Sequence, residues 1–135
     1  MNIEGIINVS GKSGLYKIIS QGKNAIIVES LRDKKRMPVY SHNQASSLED
    51  IGIYTYEDSV PLIDIFKKIA EKENYQKCIS HQSSKNEIEK YFREILPDYD
   101  EMRVYISDMK KILNWYNALQ STGFIESPKN NENDK

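Results

Sequence analysis

A chain of 135 residues, 39% hydrophobic and 29% charged, suits one ordinary domain or two small ones and is not composed like a disordered protein. The single cysteine, Cys78, excludes an intrachain disulfide framework and points to a reducing compartment. The net charge of −1 is uneven: residues 1–56 hold seven Lys/Arg against five Asp/Glu, which permits a basic patch without demanding a nucleic-acid partner.

The N-terminal MNIEGIINVSGKSG lacks the basic start and apolar stretch of a secretory signal, and no run approaches the roughly 18 apolar residues of a membrane span. The expectation is a cytoplasmic protein with no membrane partner.

The first 56 residues read as short strands separated by turns. Ile3 to Ser10 is followed by Gly11-Lys12-Ser13-Gly14, whose glycines mark a tight turn. Leu15 to Ser20 comes next, then a turn at Gln21 to Asn24, and then the apolar run Ala25 to Ser30. A charged loop, Arg32-Asp33-Lys34-Lys35-Arg36, leads to Met37 to Tyr40, where Pro38 implies an edge or a strand start. Ile51 to Tyr56, rich in β-branched and aromatic residues, is the fifth strand. Closing these into a five-stranded SH3-like small β-barrel removes exposed edges, with a single helical turn expected between Ser41 and Asp50.

After Tyr56 the apolar period changes from two to 3.6. Leu62, Ile65, Phe66, Ile69 and Ala70 form one stripe, with Ser59 as the expected N-cap and Pro61 in the first turn. The second helix begins at Ser84 with Glu87 as its capping-box partner, carries Ile88, Tyr91, Phe92, Ile95 and Leu96, and stops at Pro97. The third starts at Ser107 with Met109, Ile112, Leu113, Tyr116 and Leu119, and ends at Gly123, where Phe124 is placed to fold back on Leu119. The reading is therefore α+β: a barrel module over 1–57, a three-helix C-terminal module over 58–126, and a disordered tail over 127–135.

Most motifs with chemical meaning fail on their mechanics. Gly11-Lys12-Ser13 ends like a phosphate-binding P-loop, but Ile6 stands where the first glycine belongs and a strand follows where a helix must. Cys78 and His81 supply two metal ligands where a structural zinc needs four, and the only other histidine is His42. Asp98-Tyr99-Asp100-Glu101 starts like a calcium loop but has Arg103 where the glycine belongs and Met109 where the glutamate belongs, so these acids are assigned to a short helical turn. A helix-turn-helix is disfavoured by the ten residues from Pro97 to Ile106. No acid, base and nucleophile assemble by spacing, so an enzyme ranks last and no cofactor is expected.

The strongest lead is the basic loop. Arg32, Lys34, Lys35 and Arg36, together with Lys12 and Lys17, sit on one module with tyrosines such as Tyr16, Tyr40, Tyr54 and Tyr56 that suit base stacking. The bland reading is a solvated hairpin tip. The second lead is Trp115 with Tyr116, either an exposed anchor for a protein partner or second copy, or part of the helical packing. The functional expectation is a non-enzymatic module that binds RNA or single-stranded nucleic acid. Its alternative is a protein–protein adaptor or homo-oligomer using the helical face around Trp115.

Several segments together, NIEGIINVSGKSGLYKI, IVESL, KKRMPV, LEDIGIYTYEDSVPL, IFKKIAEKEN and LPDYDEMRVYISDMKKILNWYNAL, resemble a family of small uncharacterised Bacteroidetes proteins labelled as a domain of unknown function. The resemblance runs nearly to Phe124, apart from the Asn-rich tail. It implies a bacterial cytoplasmic protein of the same two-part layout and carries no activity, ligand or catalytic residue.

Overall fold

Residues 1–12, 14–40 and 45–126 are described by the computed structural model, and the segment expected to be a disordered tail lies outside them. The chain divides into two compact units, one of Ile3–Ile51 and one that begins at Gly52 and also takes in Met1–Asn2.

The first unit is a five-stranded antiparallel sheet. Its strands are β1 (Ile6–Val9), β2 (Tyr16–Gln21), β3 (Ala25–Ser30), β4 (Arg36–Tyr40) and β5 (Ala45–Ser47), arranged β4-β3-β2-β1-β5. The register pairs Ile7 with Tyr16, Ile18 with Val28, Val28 with Met37 and Ile26 with Val39. Period-two alternation therefore puts these residues on one face, where Ile7, Val9, Val28 and Val39 form a buried cluster. The opposite face carries Lys17 across from Glu29 and Glu29 across from Arg36. A bulge between Ile18 and Ser20 shifts the β2 register at Ile19.

One expectation for this unit is met in part and another is corrected. The five-stranded antiparallel sheet is there, but among the described residues its hydrogen-bonded ladder is open, with β4 and β5 as edges, and closure into an SH3-like barrel is not shown. Pro38 lies on the edge strand β4, where its missing N–H costs least. The segment Ile51 to Tyr56 does not join this sheet either. Part of it, β6 (Gly52–Tyr54), pairs with β7 (Ser59–Pro61) in a two-stranded sheet of the second unit, which moves the boundary from residue 57 back to Ile51. The fifth strand is instead the polar Ala45–Ser47, paired with β1, and a 3₁₀ turn at Leu48–Asp50 falls within the stretch expected to hold one.

The second unit contains α1 (Leu62–Lys72), α2 (Lys85–Ile95) and α3 (Ile106–Ser121). The anticipated stripes are buried: Leu62, Ile65, Phe66, Ile69 and Ala70 on α1, Ile88, Tyr91, Phe92 and Ile95 on α2, and Met109, Ile112, Leu113, Tyr116 and Leu119 on α3. The Ser84–Glu87 capping box forms with both hydrogen bonds at 3.2 Å. Ser59 is not a cap, because it belongs to β7 and Pro61 stands at the α1 N-terminus. The third helix starts a residue early, with the Asp108 carboxylate accepting the Tyr105 N–H at 2.9 Å. It ends as expected, with Gly123 at φ 88° and the Phe124 N–H donating to the Leu119 carbonyl at 2.9 Å.

Between α2 and α3 the backbone makes turns and an antiparallel bridge from Tyr99 to Thr55, in place of the expected helical turn. No helix among the described residues is long and apolar enough to cross a membrane.

Candidate functional site

The basic loop is a tightly tied connection between β3 and β4. The Ser30 N–H donates to the Lys35 carbonyl at 2.9 Å, and the Lys34 N–H returns to the Ser30 carbonyl at 3.0 Å. Ser30 Oγ accepts the Arg32 N–H at 3.2 Å, and Asp33 Oδ1 accepts the Lys35 N–H at 3.0 Å. That last bond is the main reason the Asp33 carboxyl lies below its usual range. Lys34 adopts φ 65°, the left-handed residue that reverses the chain. The backbone is thus fixed while the charged side chains project from it.

A second turn lies alongside. The Leu31 N–H donates to the Leu15 carbonyl at 3.1 Å, tying the β3–β4 loop to the end of the β1–β2 connection. Gly11 and Gly14, at φ 83° and 82°, take conformations that a side chain would strain. Between the two connections lies an open hollow of about 470 Å³, with Lys12 from one turn and Arg32, Lys35 and Arg36 from the other. Tyr16 and Met37, both from the apolar face, also line it.

Five of the seven predicted nucleic-acid residues therefore meet: Lys12, Tyr16, Arg32, Lys35 and Arg36. Lys17 and Lys34 do not: Lys17 stands across from Glu29 on the face away from the apolar cluster, and Lys34 is the residue that reverses the chain, whereas Arg36 reaches the hollow although it shares the face of Lys17. Arg36 is partly neutralised by Glu29 at 3.1 Å, although its side chain remains 61% exposed. Tyr16 is half-buried against the apolar cluster, so only part of its ring is available for contact. Tyr40, at the far end of β4, lines a separate hollow of about 270 Å³ with Lys23, and Tyr54 and Tyr56 belong to the second unit.

Ser30 and Asp33 were not singled out from sequence. The signal for them was available: a serine ending an apolar run, with an aspartate three residues on, is side-chain-to-backbone turn chemistry.

In the second unit, the residues considered for chemistry serve its interior. Cys78 is buried, and burial pushes its thiol pKa up to about 12, far from a nucleophilic thiolate. Its N–H donates to Asn117 Oδ1 at 2.9 Å, while Asn117 Nδ2 donates to the Cys78 and Ile79 carbonyls, each at 3.3 Å. Tyr116 is fully buried, donates its hydroxyl to the Gln76 carbonyl at 2.8 Å and tilts against Phe66. Trp115 is only 8% exposed. The proposed protein anchor at Trp115 and Tyr116 is thus corrected: these rings are buried and present no anchoring surface. Among the described residues, no three His, Cys, Asp or Glu side chains group as metal ligands, and His42 lies outside those residues.

Comparison with known proteins divides the chain at the same place as its geometry. Residues 3–48 match the family described as domain of unknown function DUF5606, and residues 51–119 match domain of unknown function DUF6852. The solution NMR structure of a Bacteroides vulgatus protein, a Northeast Structural Genomics Consortium target, is 43% identical, with a TM-score of 0.75. The match covers 93% of this chain and 90% of that one. No curated protein matches.

Proposed function

The chain belongs to a small Bacteroidetes family that joins domains DUF5606 and DUF6852, and because that membership carries no assigned activity, we propose from the geometry of the first unit that it is a non-enzymatic module binding single-stranded nucleic acid, RNA foremost. One observation carries the reading. Two turns from separate hairpins converge four cations on a hollow that Tyr16 and Met37 also line. Cations on a pinned backbone lose little main-chain entropy when they meet phosphate, and an aromatic ring beside them suits an unstacked base. The hollow is open, so it fits a strand laid across it better than an enclosed small molecule.

An SH3-like description of the sheet goes with this proposal. The antiparallel order, with β1 to β4 consecutive and β5 returning beside β1, and the single apolar face support it. A cytoplasmic location goes with it as well, since RNA is found there.

The test is a titration with single-stranded RNA at two salt concentrations. If Lys12, Arg32 and Lys35 each neutralise one phosphate, affinity falls about twenty-fold between roughly 50 and 200 mM salt. The combined Lys12→Ala, Arg32→Ala and Lys35→Ala variant should bind weakly and lose most of that salt dependence. Absence of binding by the natural chain at low salt ends the proposal.

A further inference from the structure

Among the described residues, four of the seven exposed large apolar side chains lie in two adjoining segments of the second unit: Tyr54, Tyr56, Met102 and Tyr105. The segments are joined by the bridge between Thr55 and Tyr99, flanked by the Asp100 N–H donating to the Tyr54 carbonyl at 2.9 Å and the Tyr56 N–H donating to the Asp98 carbonyl at 3.2 Å. Thr55 and Tyr99 are both buried. Alternation therefore turns their neighbours to the other face, where Tyr54 stands across from Asp100 and Tyr56 across from Asp98. The backbone register thus repeats a tyrosine across from an aspartate twice, with Asp100 buried and Asp98 exposed.

The first pair is occupied from within. Arg103 donates from Nε to Asp100 Oδ2 at 2.8 Å, and its guanidinium lies 4.2 Å from the centre of the Tyr54 ring. The same carboxylate accepts the Met102 N–H, and these bonds, the one from Arg103 foremost, hold its pKa below the usual range. The molecule therefore shows what a pair of this kind holds: a planar cation, bound at its edge by carboxylate and on its face by an aromatic ring.

The second pair has the same composition without an internal cation. Tyr56 is 58% exposed, Asp98 is exposed, and neither side chain makes a hydrogen bond or ion pair within the described residues. Glu57 and Asp58, both exposed, add negative charge next to Tyr56. Met102, 79% exposed, and Tyr105, 61% exposed, add apolar surface on the segment that follows Asp98 in the chain. Tyrosine and methionine are enriched where proteins meet, and an acidic rim selects a basic partner.

We propose that the Tyr56–Asp98 pair is a docking site for an arginine of a partner protein, carried on a segment with an apolar side chain next to it. The site repeats with an external arginine what Arg103 does internally at Tyr54 and Asp100. Arginine fits better than lysine because only guanidinium combines paired donors with a flat face. The site lies in the second unit and does not rest on the nucleic-acid reading.

The probe is the capped tripeptide acetyl-Leu-Arg-Leu-amide, titrated into the full chain while backbone amide resonances are followed by NMR. Saturable shifts at Tyr56, Glu57 and Asp98, with a dissociation constant near 1 mM, are expected for so small a probe. Replacing arginine by neutral citrulline should weaken binding about ten-fold or more. Asp98→Asn and Tyr56→Ala should each remove the shifts while keeping a folded spectrum, since both side chains are exposed. In Arg103→Ala, the probe should also shift Tyr54 and Met102, because the first pair is then vacant. Shifts that never saturate, or that persist in Asp98→Asn, overturn the proposal. A Tyr56 resonance that moves with protein concentration alone assigns the site to a second copy, and overturns it too.

Discussion

The two units use their polar groups in opposite ways. In the helical unit, one set of side-chain polar groups ends inside: Asn117 clamps the Cys78 loop, Tyr116 holds the Gln76 carbonyl, and the Tyr91 hydroxyl donates to the Glu73 carboxylate. In the sheet unit, Ser30 and Asp33 hold turn backbone, and the cations they position point outward. The first arrangement makes a stable frame and the second a charged surface. Substitutions of those interior groups and of the sheet unit's cations should therefore fail differently, the first in stability and the second in binding.

The largest effect is expected at Phe92, fully buried and edge-on to the Tyr99 ring at 5.2 Å. Phe92→Ala should lower the unfolding free energy by about 3–5 kcal/mol in urea titrations followed by Trp115 fluorescence. Asn117→Ala comes next. It removes an acceptor from the Cys78 N–H and a donor from two carbonyls, so a loss of about 1–3 kcal/mol is expected, with faster hydrogen exchange at Cys78. A cost below a few tenths of a kcal/mol would mean that the clamp is incidental.

Alkaline pH should act on the same interior. Burial raises the pKa of Cys78 to about 12 from 9.0, and raises those of Tyr91 and Tyr116 from 10.0. Each group keeps its proton in the folded chain at pH values where the unfolded chain has released it. The stability they contribute is whole below about pH 9 and declines as pH rises toward the folded value. Urea midpoints should therefore fall steadily above pH 9, and Cys78 should resist alkylation at pH 8 until the chain unfolds. Rapid labelling of the folded chain would show that the loop opens locally.

The helices were legible because their information is local. A stripe such as Leu62, Ile65 and Phe66 fixes which side is inward, and Ser84 with Glu87 writes the start of α2 into four residues. The sheet was legible only as far as its hairpins. Ile53 and Thr55 alternate with Gly52, Tyr54 and Tyr56 whichever strand they meet, so period two could not tell the barrel from pairing with Ser59–Pro61. Ala45–Ser47 carries no apolar signature, and its place beside β1 is a long-range choice. Likewise, the charge of residues 32–36 was visible in sequence, but bringing Lys12 to it depends on how two connections lie side by side. That Lys17 faces away from the apolar cluster follows from alternation once Tyr16 is known to face it, but Arg36 shares that face and still lines the hollow, so alternation alone does not sort the two.

The smallest effect makes the sharpest test of the contrast. Glu29 lies on the lysine-and-arginine face, paired with Arg36 at 3.1 Å and across from Lys17. An exposed ion pair of this kind contributes about 0–1 kcal/mol, so Glu29→Gln should scarcely move the urea midpoint. It should nevertheless free Arg36 toward the hollow and let one more cation meet phosphate. Binding of single-stranded RNA should then tighten at low salt, and the logarithmic salt slope should steepen by about 0.7, the increment for one added contact on a single strand. An unchanged slope would place Arg36 outside the binding surface and leave Lys12, Arg32 and Lys35 as its charged contacts.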